Sequence, residues 1–345
     1  MSEAWRRVEA VLDDAIRARV TPGASLCAAA RRRGEWRYAQ LARGALAWDE
    51  PGDAREDSLY DLASLTKPFT AWAAMRLRDR GALDLTAPIS RYLPERRGAP
   101  AAARSLDALL SHRAGLAPWR PLFEGADPAV AGANREIALD ALWRELPGEE
   151  GAAVYSDLGY ILAGEALAAA RGRPLEEALE ECDVLGALRF RCDEPARCAP
   201  TERCAWRGRV LRGEVHDENC FALGGAAGHA GLFGDARAVC ERGVAMVDAL
   251  RGGEGWALDM LRARPGGSHR LGWDTRSPVG SSAGARMGPR TFGHLGFTGT
   301  SLWCDPDAEV VVALLTNRVH PSREGAGIRA LRPAVHDAVL DALAP

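Results

Sequence analysis

The period of apolar and polar residues changes several times along this chain, and each change marks an element. From the amino terminus to about Arg19, charged and apolar residues interleave at helical spacing and predict an amphipathic helix. Two strands follow, Ala24–Arg31 and Glu35–Ala45, on either side of an Arg32-Arg33-Gly34 turn. Helical periodicity returns near Ser64, runs through Thr70, Ala71, Ala74, Met75 and Leu77 to Arg80, and stops at Gly81. Pro68 lacks an N–H and fits only a first helical turn, which places Ser64 close to that helix's amino terminus.

From about Leu83 to Leu261 the pattern is mostly helical, rich in alanine and leucine and broken by Gly/Pro loops. One helix is predicted from Asp157 through Leu162 and Ala168, while Cys182 to Cys220 lacks periodicity and reads as a long connection. A glycine-rich loop, Gly224 to Gly231, comes next. Strand character resumes from about Arg270, with Gly299–Cys304 and Glu309–Thr316 as a hairpin around Asp305-Pro306-Asp307. Arg329–Leu343 is a final amphipathic helix. This order predicts an α/β sandwich with an all-α insertion.

With 345 residues, 47% of them hydrophobic and 26% charged, the chain has the composition of a soluble globular protein. A formal net charge of -3 gives no reason to expect nucleic acid or an anionic membrane surface. No apolar run approaches the ~20 residues of a membrane span. No apolar stretch of a secretory signal precedes the first helix, so the expected compartment is the cytoplasm. Eight cysteines are present, four of them (Cys182, Cys192, Cys198, Cys204) in one segment. They lack metal-ligand spacing, so no metal or other cofactor is expected, and free thiols rather than disulfides are the expected state.

Lys67 is the only lysine in the chain; every other basic side chain that keeps its charge is arginine. Arginine stays protonated, whereas lysine can serve as a neutral amine. Ser64 lies three residues earlier, and i and i+3 share a helix face, so the amine reaches the hydroxyl. A helix amino terminus and burial both disfavour a second positive charge, so a depressed Lys67 pKa is expected, and with it a base for the Ser64 proton.

Two further pieces complete a constellation. Tyr155-Ser156-Asp157 precedes a helix, where the tyrosine hydroxyl can relay a proton and Ser156 or Asp157 can cap. Gly293 to Thr300 holds His294, Gly296 and Phe297; Gly296 lets a substrate backbone approach, and the Phe297 N–H can pair with that of Ser64 as an oxyanion hole. His216-Asp217-Glu218-Asn219 and His229 lie in loops that border this region or simply hydrogen-bond locally. His112, His269, His320 and His336 are not grouped with other ligand types and read as structural or exposed.

In this order, Ser64-x-x-Lys67, Tyr155-x-Asp157 and His294-x-Gly296 resemble the three motifs of the serine β-lactamase, penicillin-binding protein and esterase superfamily, in pattern its class C-like branch. Leu109-Leu110-Ser111-His112, Ala114-Gly115-Leu116 and the Gly228–Phe233 loop extend the resemblance over essentially the whole chain. It implies an antiparallel sheet flanked by helices, formed by residues 1–85 plus 262–345, with an inserted all-α domain at 86–261 and the site at their boundary. It implies Ser64 as acyl-accepting nucleophile, Lys67 and Tyr155 as general acid and base, and Asp157, His294, Gly296 and Phe297 as substrate-binding positions.

Two positions depart from that pattern. Asp157 stands where the family carries asparagine; a carboxylate only accepts hydrogen bonds and favours a Lys67 ammonium. His294 stands where β-lactamases carry lysine, and a neutral imidazole holds a substrate carboxylate less strongly. The expectation is therefore a cytoplasmic serine hydrolase acting through an acyl-enzyme on a small-molecule ester, amide or peptide. A D-alanyl-D-alanine carboxypeptidase or weak β-lactamase is the enzymatic alternative, and a non-catalytic β-lactam or muropeptide sensor the alternative of another class. Oligomeric state is not legible.

Overall fold

The two ends of the chain build one sheet, and the middle supplies most of the helices. The computed structural model describes residues 3–344; Met1 and Ser2, part of the predicted first helix, lie outside the described residues. Helix α1 (Glu3–Arg17) turns Val8, Leu12 and Ala15 inward. Strands β1 (Gly23–Arg32) and β2 (Glu35–Gly44) form the predicted hairpin, and the short β3 (Tyr60–Asp61) follows. Helix α2 (Thr66–Asp79) is preceded by a 3-10 turn at Ala63–Leu65.

The helical stretch comprises α3 (Leu106–Leu110), α4 (Arg135–Trp143), α5 (Asp157–Arg171) and α6 (Leu175–Glu181). The predicted long connection contains a two-stranded hairpin, β4 (Arg203–Cys204) and β5 (Arg209–Val210), too short to show a period in sequence. After α7 (Glu218–Ala222), β6 (Phe233–Gly234) pairs with β3. Helices α8 (Ala236–Arg251) and α9 (Gly255–Leu261) precede β7 (Asp274–Thr275), β8 (Phe292–Leu295), β9 (Ser301–Asp305), β10 (Val310–Thr316) and α10 (Ile328–Leu343).

The main sheet runs β2-β1-β10-β9-β8-β7, antiparallel at each pairing. Ala28 faces Val312 and Val312 faces Trp303, so the amino-terminal hairpin is joined to the carboxy-terminal one through β10. Side chains alternate across strands. Leu26, Ala28, Val312 and Leu314 pack with Val8 and Leu12 of α1 and Val335 and Val339 of α10. Cys27, Ala29, Val311 and Ala313 face the other way, against Val239, Met246 and the helical core. Both faces are covered, which explains why β1 and β10 read as continuous apolar runs.

Helix α2 is buried all round, from Thr66 to Met75, and Ala71, Ala73 and Ala74 let its neighbours approach closely. A helix apolar on every side belongs to an interior rather than a surface. Lys67 is carried into that interior and has no solvent exposure.

One sequence expectation is corrected here. Cys192 and Cys198 form a disulfide, drawn together by the 3-10 turn Pro195–Arg197 between them. Cys27, Cys182, Cys204, Cys220, Cys240 and Cys304 are free and buried.

Candidate active site

Ser64 sits in the 3-10 turn that leads into α2, next to a strained residue. Ala63 has a φ of 48°, the left-handed region that costs a non-glycine residue about 1 kcal/mol or more. The buried Asp61 carboxylate holds this bend: it accepts from the Ala63 N–H at 2.7 Å and the His216 N–H at 2.5 Å. Ser64 is thereby half-exposed at the floor of a cleft of about 870 Å³.

The amine of Lys67 donates to Ser64 Oγ at 2.8 Å and to the His229 carbonyl at 3.3 Å, and lies 2.7 Å from Asp157 Oδ1. Tyr155 and Tyr160 present their rings to it at 4.8 and 5.7 Å. Burial opposes the charge on Lys67, yet the charges and hydrogen bonds of Asp157 and Tyr155 outweigh it and raise the pKa. The expected depression is therefore corrected: the resting side chain is an ammonium. The Tyr155 hydroxyl is raised by burial and by Asp157, against the pull of Lys67 and of its hydrogen bonds to Lys67 and Ser64, so it rests protonated.

Local pairing places Tyr155 and Asp157. Ser156 caps α5 by accepting from Gly159 N, and its own N–H donates to His112 Nδ1 at 3.0 Å. Val154 N donates to His112 O, and Asp157 N to Pro118 O, both at 2.9 Å. The segment before α5 is thus pinned along residues 112–118. His112 also packs against the ring of Tyr155 at 4.6 Å, and His269 lies 4.8 Å from His112 and 5.8 Å from Tyr155. Both histidines belong to this cluster, where neither is expected from sequence: His112 ends the resembling string Leu109-Leu110-Ser111-His112 but reads as structural or exposed, and His269, from a distant segment, lies in no motif.

His294 is buried on β8, its ring 6.0 Å from that of Tyr155. Its Nδ1 lies 2.8 Å from the Leu295 carbonyl, which makes Nδ1 the protonated nitrogen. Burial first, then the Lys67 charge, push its pKa down to about 3, so His294 is neutral across the physiological range.

The turn after β8 leans on the segment that leads to Ser64. Thr298 Oγ1 donates to Asp61 O at 2.7 Å and Thr300 Oγ1 to Leu62 O at 3.1 Å. A Cβ on Gly296 would collide with Thr300 Oγ1 and Leu62 O, so only glycine allows this approach. Among the described residues neither the Ser64 nor the Phe297 N–H has a protein acceptor.

The remaining walls were partly anticipated. His216 and His229 do line the cleft, each bound to a carboxylate, Glu202 and Asp217, at 2.9 Å. The Asp217 carboxyl is held far below the usual range: burial alone would raise it, but the His229 charge and hydrogen bonds prevail. Unanticipated is a wall of arginines, Arg318, Arg323, Arg329 and Arg332, facing two exposed aromatics, Trp119 and Phe297. Arg323 is paired with Glu202 and Glu218, both at 2.5 Å, and Arg318 stacks over the Phe297 ring at 4.5 Å.

A serine on the turn before α2, a buried lysine on the first turn of α2, a tyrosine beside it and a glycine-edged strand opposite thus meet at one cleft. The chain belongs to the Beta-lactamase family, which it matches over residues 9–336, a family of serine hydrolases. A putative D-alanyl-D-alanine carboxypeptidase of Escherichia coli is 28% identical over 336 residues, covering 84% of this chain and 75% of the relative. Among solved structures, EstCE1, a hydrolase with promiscuous acyltransferase activity, is similar at a TM-score of 0.76 and 24% identity, over 97% of this chain and 98% of that one. The D-amino acid amidase of Ochrobactrum anthropi is similar at a TM-score of 0.74 and 21% identity, over 99% of this chain and 100% of that one. These two likenesses establish the shared fold.

Proposed function

We propose that the protein hydrolyses a small-molecule ester, or an amide of the D-amino-acid type, through an acyl-enzyme on Ser64. The observation that carries this is the single buried amine, 2.8 Å from Ser64 Oγ and 2.7 Å from Asp157 Oδ1, at the floor of an open cleft. A binding-only sensor needs no such arrangement.

Because the resting amine is charged, the first event is a proton shift. When substrate displaces water, the proton crosses from Lys67 Nζ to Asp157 Oδ1, since a dry site lowers the advantage of the ion pair over the neutral pair. Neutral Lys67 then takes the Ser64 proton as Oγ attacks the substrate carbonyl carbon. The Ser64 and Phe297 N–H groups hold the oxyanion. Tyr155 gives its proton to the leaving oxygen or nitrogen as that bond breaks and regains one from Lys67. Water repeats the sequence in reverse, releasing the acid and restoring Ser64. His294 and Gly296 form the strand edge along which the substrate backbone lies.

A D-alanyl-D-alanine carboxypeptidase or weak β-lactamase activity is the second reading, favoured by one observation. Lys67–Asp157, His229–Asp217 and Arg323–Glu218 pair off within the cleft. Among the described residues this leaves Arg318, Arg329 and Arg332 without a carboxylate partner against the one unpaired carboxylate of Glu324, an excess of cations toward a substrate carboxylate. Burst kinetics with a chromogenic ester, followed by a panel of D-amino-acid amides, acyl-D-Ala-D-Ala peptides and nitrocefin, separates the readings. A stoichiometric burst or steady turnover of the ester supports the first; peptide turnover above ester turnover favours the second; no turnover of any of these substrates leaves only a binder.

Among the described residues no helix is long and apolar enough to cross a membrane. The cytoplasm remains the proposed compartment. Cell fractionation with thiol titration tests it, because the Cys192–Cys198 bond is chemistry that persists in oxidising surroundings.

A further inference from the structure

Arg332, on the first turns of α10, is an arginine with little reason to be where it is. It is 7% exposed, and its Nε has no partner. The forces on it are burial and the like charge of Arg318, which together bring its pKa down to about 10; no carboxylate contributes. An uncompensated buried guanidinium costs stability, so something must be gained where its Nη2 points.

Arg332 Nη2 donates to the Gly296 carbonyl at 2.7 Å and the Thr300 carbonyl at 2.8 Å. Gly296 N in turn donates to Thr300 O at 2.8 Å, so one cation closes the whole turn. The Gly296 carbonyl and the Phe297 N–H are two ends of one conjugated peptide unit. A cation on the oxygen draws charge from the nitrogen and makes the N–H a stronger donor, as chained hydrogen bonds do. The other candidate donor is backed differently: the Ala63 carbonyl, on the peptide unit of the Ser64 N–H, accepts the neutral Thr66 hydroxyl at 2.8 Å.

We propose that Arg332 is a positioning residue for the oxyanion hole, orienting and polarising the Phe297 N–H through the Gly296 carbonyl. This rests on the reading above that Phe297 N–H is an oxyanion donor. Arg332 touches no reacting atom; it acts on the charge that develops in the transition state and not on the bound ground state. The bland alternative is a bracket that only keeps the turn folded.

The test compares Arg332→Met, Arg332→Gln and Arg332→Lys with the wild type, reading kcat and KM for p-nitrophenyl butyrate, the inhibition constant of phenylboronic acid, and Tm. Removing an oxyanion donor outright costs about 10²–10³ in kcat, so weakening one should cost about 30-fold in Arg332→Met. The boronate constant should rise by a similar factor while KM moves less than about threefold, because boronate mimics the tetrahedral state and substrate does not. Arg332→Lys, which keeps the charge, should recover most of the loss. Should Arg332→Met not fold, Arg332→Gln decides: it retains a donor without the charge and should lose about tenfold in kcat and boronate affinity together. Wild-type values in Arg332→Gln, or a loss of kcat with boronate affinity unmoved, overturns the inference. A wild type that shows no Ser64-dependent turnover overturns instead the reading on which it rests.

Discussion

At the scale of single residues, the charge state of Lys67 is where the chemistry turns. Helix terminus and burial point toward a neutral amine; the carboxylate 2.7 Å away reverses the outcome. The Ser64/Lys67 pairing was legible because their i,i+3 spacing fixes it; that Asp157 favours the ammonium was legible too, but not that it wins, since the 2.7 Å approach depends on how another helix packs. Asp157→Asn tests it. Without the carboxylate no partner can take the Lys67 proton, so attack by Ser64 needs an amine that is already neutral, and the acid limb of the kcat/KM profile becomes that amine's own titration, at least about one unit higher in pH than in the wild type. An unmoved limb, or one displaced downward, would contradict the proton shift from Lys67 to Asp157. Lys67→Arg, which cannot become neutral, should lose at least about 10²-fold in kcat.

His294 leads to a second expectation at this scale. A half-exposed imidazole would gain charge near about pH 6 and begin to favour carboxylate-bearing substrates. The observed one is buried, and its pKa lies at about 3. The wild-type ratio of nitrocefin to p-nitrophenyl butyrate turnover should therefore stay constant within about twofold from pH 7.5 to pH 6. A ratio that climbs through that range would show the imidazole titrating.

At the scale of elements, the site is built from ends and turns: the 3-10 turn before α2, the cap of α5 and the turn after β8. Caps and glycine-rich turns carry strong local signatures, which is why Ser156, Gly296 and the hairpin around Asp305 were legible. His112, although part of a resembling string, has no place at the site by sequence, and His269 and the arginines of residues 318–332 were not legible, because only the packed fold brings them to the cleft. The proposed division into 1–85 plus 262–345 and 86–261 assigns α8 to the inserted part by sequence, although in space α8 packs against β1, β9 and β10. Gly296→Ala should lower kcat/KM at least about 100-fold, as its Cβ would push the turn off Leu62 and Thr300 and misplace the Phe297 N–H. A variant within about fivefold of wild type would mean that the turn yields without moving that N–H. His112→Phe should weaken catalysis and stability together, by about 1–3 kcal/mol in stability, because it leaves the Ser156 N–H without a partner.

At the scale of the whole molecule, buried neutral histidines set the response to acid. His112, His294 and His336 all have lowered values, through burial first, with His336 at about 4 and His294 at about 3. In the unfolded chain each binds a proton near 6.5, so below that pH the unfolded state holds more protons and stability falls as pH falls. Each contributes about 1.4 kcal/mol per pH unit until its folded pKa is reached. Urea unfolding midpoints should therefore drop steeply between pH 6.5 and pH 4. Replacing His336 by a neutral residue of similar size should flatten that slope, and an unchanged slope would place the titrating groups elsewhere.

The most direct measurement is active-site labelling of the intact protein with a serine-directed fluorophosphonate, followed by peptide mapping. Modification confined to Ser64, stoichiometric, abolished in Ser64→Ala and accompanied by at least a ~10³-fold loss of ester turnover in that variant, is the expected result. Label on Ser111, Ser156 or Ser301, or ester turnover that survives Ser64→Ala, would contradict it.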